Sequence, residues 1–137
     1  MPYTASQFVE VLVGLGYANA IHQIEPSLLQ AAIEAFQRDY GLALTGQPDA
    51  ATQERARQLV RNLQHSLNLV MRAQIPISEF YGTGTRSAVV GFQQLYHLPP
   101  TGIACLQVRR ALEQEAKRQL RMQVCYSRHE SYQTQVV

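Results

Sequence analysis

A strong charge of either sign is missing from this 137-residue chain. Twelve Lys and Arg stand against ten Asp and Glu, a formal net charge of +2. Nucleic-acid-binding domains ordinarily concentrate basic residues on one face. Here they alternate with Glu and Gln until the last third, so nucleic acid is not an expected partner. Long apolar runs are missing too. No stretch approaches the roughly twenty apolar residues of a membrane span, and no apolar run behind basic residues marks a secretory signal at the N-terminus. The expected location is therefore the cytoplasm for a full-length chain, and the cell envelope if a signal was removed. Cysteine is scarce: Cys105 and Cys125 have no metal-ligand spacing and read as free thiols of a reducing compartment. His22, His65, His97 and His129 place no two rings on one helix face for a metal, and no serine sits in a nucleophile elbow. Glu113 and Glu115 read as a solvated helix face rather than a hydrolytic pair. No cofactor, no metal and no enzymatic activity are expected.

What is present is repetition. Ala31 to Gly46 carries Phe36-Gln37, Tyr40, Leu42 and Thr45-Gly46, and Ser87 to Gly102 matches it without a gap through Phe92-Gln93, Tyr96, Leu98 and Thr101-Gly102. An internal repeat of this kind fixes the architecture before any single residue is read. Each copy is about sixty residues, a size at which burial barely offsets chain entropy, so the two are expected to share one core.

Local signals divide the copies into helices. Thr4 and Gln7 have the spacing of a capping box, and Phe8, Val11, Leu12 and Leu15 recur at helical spacing up to Gly16. Pro26 suits the first position of a second helix, whose apolar side is Leu28, Leu29, Ala32, Ile33, Phe36 and Tyr40. Gly41 can take the left-handed conformation that closes it. Asp49 is a good N-cap for a third helix. That helix meets no Gly or Pro until Pro76, so it is expected to run from one repeat directly into the next. A fourth helix follows Tyr81-Gly82, with Thr83 or Thr85 as the expected cap. A fifth begins near Ile103 and reaches about Gln123, ahead of a polar tail. The reading is all-α: two tandem three-helix repeats, residues 4–62 and 63–123, fused through a long shared helix, and a flexible segment, 124–137.

Ala88-Val89, Phe92-Gln93, Leu98 and Thr101-Gly102 resemble the peptidoglycan-binding-domain-like family, a small three-helix module often found in pairs. Its pattern is a leading amphipathic helix, Leu-Gly-Tyr, Phe-Gly-x-x-Thr, Ala-Val-x-x-Phe-Gln, Leu, Thr-Gly and Asp-x-x-Thr, and the resemblance covers about Ser6 to Leu112. Repeat one keeps Leu15-Gly16-Tyr17, Phe36-Gln37, Thr45-Gly46 and Asp49-x-x-Thr52, but has Glu25-Pro26-Ser27-Leu28-Leu29 where Phe-Gly-x-x-Thr belongs. Repeat two keeps that element as Tyr81-Gly82-Thr83-Gly84-Thr85, but reads Val70-Met71-Arg72 for Leu-Gly-Tyr and has no aspartate cap after Thr-Gly.

The resemblance implies a non-catalytic module that holds cell-wall glycan or its stem peptide, in a shallow groove between the loop after the first helix and the start of the middle one. The loop residues Tyr17 and Tyr81 are the expected ligand contacts, with Thr85 and Arg86 at the start of the fourth helix. Tyr40 and Tyr96 are candidate stacking surfaces, whereas Phe36 and Phe92 read as core. The alternative is an intracellular adaptor that reuses the fold to hold another protein. Arg109, Arg110, Lys117, Arg118 and Arg121 on the last helix would suit an acidic partner of that kind. Oligomeric state is not legible from the sequence.

Overall fold

A computed structural model describes residues 2–19 and 25–136, with side chains described through residue 124. The side chains of Cys125 and His129, and all of His22, lie outside the described residues. The order is α1 (Ala5–Gly14), α2 (Pro26–Asp39), α3 (Ala50–Met71), α4 (Thr83–Leu95) and α5 (Leu106–Val136), with no strand among the described residues. The fold is all-α and built as two tandem repeats. No described helix is long and apolar enough to cross a membrane.

Helix α3 organises the packing. It touches α1, α4 and α5, while α2 packs on α1. At 1.5 Å per residue its 22 residues span about 33 Å, enough to serve as the third helix of one repeat and the first helix of the next. Its buried residues Ala56 and Val60 fall in the first half, Leu63 and Leu67 in the second. Phe36 and Phe92, the duplicated aromatics, are fully buried. One continuous cluster joins Phe8, Leu12, Ile33 and Phe36 of repeat one to Val89, Phe92, Val108 and Leu112 of repeat two. The shared interior suits the size of the halves, since a unit of about sixty residues is only marginally stabilised by its own burial.

The helix starts are largely local chemistry. Thr4 Oγ1 accepts from the Gln7 amide at 3.1 Å, and Gln7 Oε1 accepts from the Thr4 amide at 2.9 Å, a complete capping box. Pro26 occupies the first turn of α2. Asp49 Oδ1 accepts from the Thr52 amide at 3.0 Å and from its hydroxyl at 2.6 Å. Helix α4 differs from expectation. Its N-cap is Gly82, with no side-chain cap, because the Thr85 hydroxyl is turned inward to accept from Gln64 Nε2 at 3.1 Å. Helix α5 begins at Leu106 rather than Ile103. The Ile103 carbonyl accepts from Gln93 Nε2 and the Ala104 amide donates to the Gly14 carbonyl, which holds that segment out of the helix. Helix α5 also runs to Val136, past the expected end near Gln123.

The duplicated Phe-Gln and Thr-Gly pairs have one physical explanation. Gln37 is fully buried, and its Oε1 accepts from the amides of Thr45 and Gly46, both at 3.0 Å. Its Nε2 donates to the Thr45 and Thr52 hydroxyls and to the Gln47 carbonyl. Gln93 does the same for the second turn, accepting from the Gly102 amide at 2.9 Å and donating to the Thr101 hydroxyl and the Ile103 carbonyl. Gly46 and Gly102 are the buried residues of these turns, and a buried amide must be satisfied. In each copy one glutamine side chain satisfies it.

The backbones repeat even where the residues do not. The spacing that carries Phe36 to Phe92 also carries Gly41 to His97 and Gly16 to Arg72. Gly16, Gly41 and Gly46 have φ of 91°, 65° and 68°; Arg72, His97 and Gly102 have φ of 52°, 59° and 75°. The two non-glycine residues with positive φ thus stand where repeat one uses glycine. The counterpart of Leu15-Gly16-Tyr17 is accordingly Met71-Arg72-Ala73, one residue on from the triplet read in the sequence.

Candidate functional site

The sequence-predicted site residues separate into three places. Tyr81, Thr85 and Arg86 gather at the start of α4. Tyr81 is only 4% exposed, and its hydroxyl donates to the Gly102 carbonyl at 2.7 Å. Its ring lies against Gly14, where a Cβ would collide with it. Burial pushes the Tyr81 phenol up to about 12. Thr85 is buried with its hydroxyl bound by Gln64. The Arg86 guanidinium stacks 5.5 Å from the Tyr81 ring centre. As placed, Tyr81 and Thr85 are packing residues rather than ligand contacts. Aromatic and threonine positions in a loop look alike in sequence whether they face in or out.

Tyr96 stands apart. It is 38% exposed, its ring packs on Phe92 at 4.6 Å, and burial together with a hydrogen bond to Glu115 raises its phenol. Hydrogen bonds from Arg118 hold the Glu115 carboxyl down at about 2.

Tyr17 and Tyr40 are brought together, and by a residue of the other repeat. Arg109, on the first turns of α5, donates from Nη2 to the Tyr40 hydroxyl at 2.9 Å and more weakly to the Tyr17 hydroxyl at 3.4 Å. Its Nη1 donates to the carbonyls of Leu15 and Ala104, at 2.7 and 2.5 Å. The Tyr17 hydroxyl in turn donates to Asp39 Oδ2 at 2.5 Å. Burial, then that bond to a carboxylate, raises the Tyr17 phenol well above its ordinary value. Arg109 thus joins the end of α1, the end of α2 and the start of α5. It was legible as part of a basic helix but not as this clasp, which spans residues far apart in the chain.

Beside the clasp runs a groove of about 700 Å³ between the middle of α3 and the start of α5, closed at one end by Asp39 and Tyr40 of α2's exit. Leu59, Leu63, Leu106 and Leu112 give it an apolar floor, and Gln58, Asn62 and Ser66 supply neutral hydrogen-bonding groups. Arg55 enters from α3, Arg109 and Arg110 from α5. The Arg55 guanidinium stacks 5.1 Å from the centre of the Tyr40 ring. This groove is not the one expected beside the loop after the first helix, part of which, residues 20–24, lies outside the described residues. Sequence reasoning did not single out Arg55, Gln58 or Asn62. No group of three or more His, Cys, Asp or Glu among the described residues could hold a metal. Cys105 is a half-buried free thiol against Gly16.

Two register-matched helical repeats with one shared interior define a tandem-repeat helical protein. Comparison with known families agrees: the profile of the family described as "Putative peptidoglycan binding domain" matches twice, at residues 6–55 and 56–112. The matches cover most of the chain, and the chain belongs to that family. A protein of Synechococcus elongatus described as "Putative OxPP cycle protein OpcA" is 35% identical over 68 residues, 49% of this chain. The match spans only 15% of that relative's length. No solved structure matches the chain.

Proposed function

We propose that this chain is a non-catalytic module that binds cell-wall glycan with its stem peptide, and that it does so in the groove between α3 and α5. The two repeats, residues 4–62 and 63–123, act as one unit in this reading because the groove needs both. The observation that carries it is the make-up of the groove in a chain of this family: an aromatic wall at Tyr40, amide and hydroxyl groups suited to N-acetyl sugars, and guanidinium groups suited to peptide carboxylates. Pockets of 300–1,000 Å³ with an apolar lining and a few placed polar groups are the usual form of small-ligand sites. Incubating the protein with insoluble sacculi at low salt and sedimenting them tests the reading. The protein is expected in the pellet; protein left wholly in the supernatant rejects it.

A second reading, an adaptor for another protein, is favoured by α5. Beyond Ala116 this helix exposes Leu120, Met122 and Val124, and the Synechococcus relative is described by a metabolic cycle rather than by the wall. A lysate pulldown that recovers no stoichiometric partner counts against it.

A further inference from the structure

Resting on the wall-binding reading, we infer that the groove selects ligands carrying a free carboxylate, held between Arg55 of α3 and Arg110 of α5. Three guanidiniums line the groove, but their situations differ. Arg109 is spent on two carbonyls and the Tyr40 hydroxyl. Arg55 has only the face of Tyr40 and a long 3.4 Å bond to Gln58. Arg110 is exposed and has no hydrogen bond or ion pair among the described residues. Two acids also line the groove, and neither bonds to Arg55 or Arg110: Asp39 accepts from Tyr17, and Glu113 lies 3.4 Å from Lys117. Two guanidinium forks therefore face the groove without a carboxylate, the group whose geometry they match through paired N–H···O bonds.

The helix end beside them points the same way. In repeat one the first turn of α3 is capped by the Asp49 carboxylate. Cys105 stands at the corresponding place before α5, where the Cys105 carbonyl accepts from the Arg109 amide and no carboxylate occupies the cap position. Leu106 and Arg109 of this turn, and Arg110 just beyond it, line the groove. The partial positive charge of a helix start without a capping carboxylate thus adds to Arg55 and Arg110.

The experiment compares a soluble disaccharide-peptide wall fragment carrying its free carboxylates with the same fragment amidated, by calorimetric titration into the intact protein at low salt. Arg55→Gln/Arg110→Gln removes the proposed grip. Both side chains are exposed, so the fold should persist, which circular dichroism checks. Arg38→Gln/Arg121→Gln removes the same charge from residues that do not line the groove. The acid form is expected to bind the parent protein and the control about tenfold tighter than the amide, in keeping with one charge-assisted hydrogen bond at a solvent-exposed site. The groove variant should bind both forms alike, at the amide level. Equal affinity of the parent protein for the two forms overturns the carboxylate inference while leaving wall binding intact. Failure of both forms to bind, with protein also left out of the sacculus pellet, overturns both. A preference that survives Arg55→Gln/Arg110→Gln overturns the assignment to this groove, whatever the control shows.

Discussion

Replacing His97 by glycine should stabilise the protein, and replacing Gly41 by alanine should destabilise it, although the two residues occupy the same place in the two repeats. Gly41 has φ of 65° and His97 of 59°. A left-handed L-residue costs about 1–2 kcal/mol relative to glycine. Part of this is offset, because glycine loses about 0.4–1 kcal/mol more conformational freedom on folding. The net gain for His97→Gly is therefore about 0.5–1 kcal/mol. His97 is exposed and its side chain makes no hydrogen bond among the described residues, so little is lost with it. A Cβ at Gly41 would meet nothing within 4 Å, so Gly41→Ala isolates the backbone cost at about 1 kcal/mol in the other direction. Arg72→Gly, at the counterpart of Gly16, should behave as His97→Gly does. In urea, with a slope of about 2 kcal/mol per molar, these changes shift the midpoint by roughly 0.3–0.5 M without changing the slope. A loss of stability in His97→Gly and Arg72→Gly would refute the claim that the repeats share one backbone.

Three further outcomes follow from the packing. Gly14→Ala should cost about 3 kcal/mol, because its Cβ would collide with the buried Tyr81 ring; in a double-mutant cycle with Tyr81→Ala, measured by urea unfolding, the combined cost should be less than additive. Gln37→Leu and Gln93→Leu should each destabilise by about 2 kcal/mol in urea unfolding, since each strands one buried glycine amide, Gly46 or Gly102, while the Thr45 and Thr101 amides keep the Ala43 and Pro99 carbonyls. Asp49→Ala should cost about 1 kcal/mol at pH 7. Hydrogen bonds from Thr52 and then Thr45 hold the Asp49 carboxyl below its ordinary value in the folded chain, so its contribution is present above the unfolded pKa of about 3.9 and fades as pH falls through the lower folded value. Thermal melts of the variant and parent should converge in acid.

The helices were legible because their signals are local. Thr4 with Gln7, Pro26, Gly41 and Asp49 act within a turn or two of their own position, and an uninterrupted α3 can be read directly as the absence of Gly and Pro. The interior was legible from duplication, which marked Phe36 and Phe92 as packing residues. What could not be read depends on contacts between distant segments. Thr83 and Thr85 looked equally able to cap α4, but Gln64 draws Thr85 inward. Tyr81 looked like a loop residue open to ligand, but Gly14 leaves room for its ring. The groove is built from α3 and α5, whose polar faces look solvated until the two helices are set side by side. Arg109 is the sharpest case: nothing near it in sequence announces Leu15, Tyr17 or Tyr40. The missing aspartate at Cys105 was visible, but only the groove beside it gives that absence a consequence.

The most direct test maps the ligand onto the fold. Amide chemical shifts of the labelled protein should be followed while a soluble wall disaccharide-peptide is added. Perturbations are expected to cluster at Asp39 and Tyr40, along α3 from Arg55 to Ser66, and over Leu106 to Glu113, the lining of the groove between the repeats. Perturbations confined to Tyr81, Thr85 and Arg86 at the start of α4, or none at saturating fragment, would contradict it.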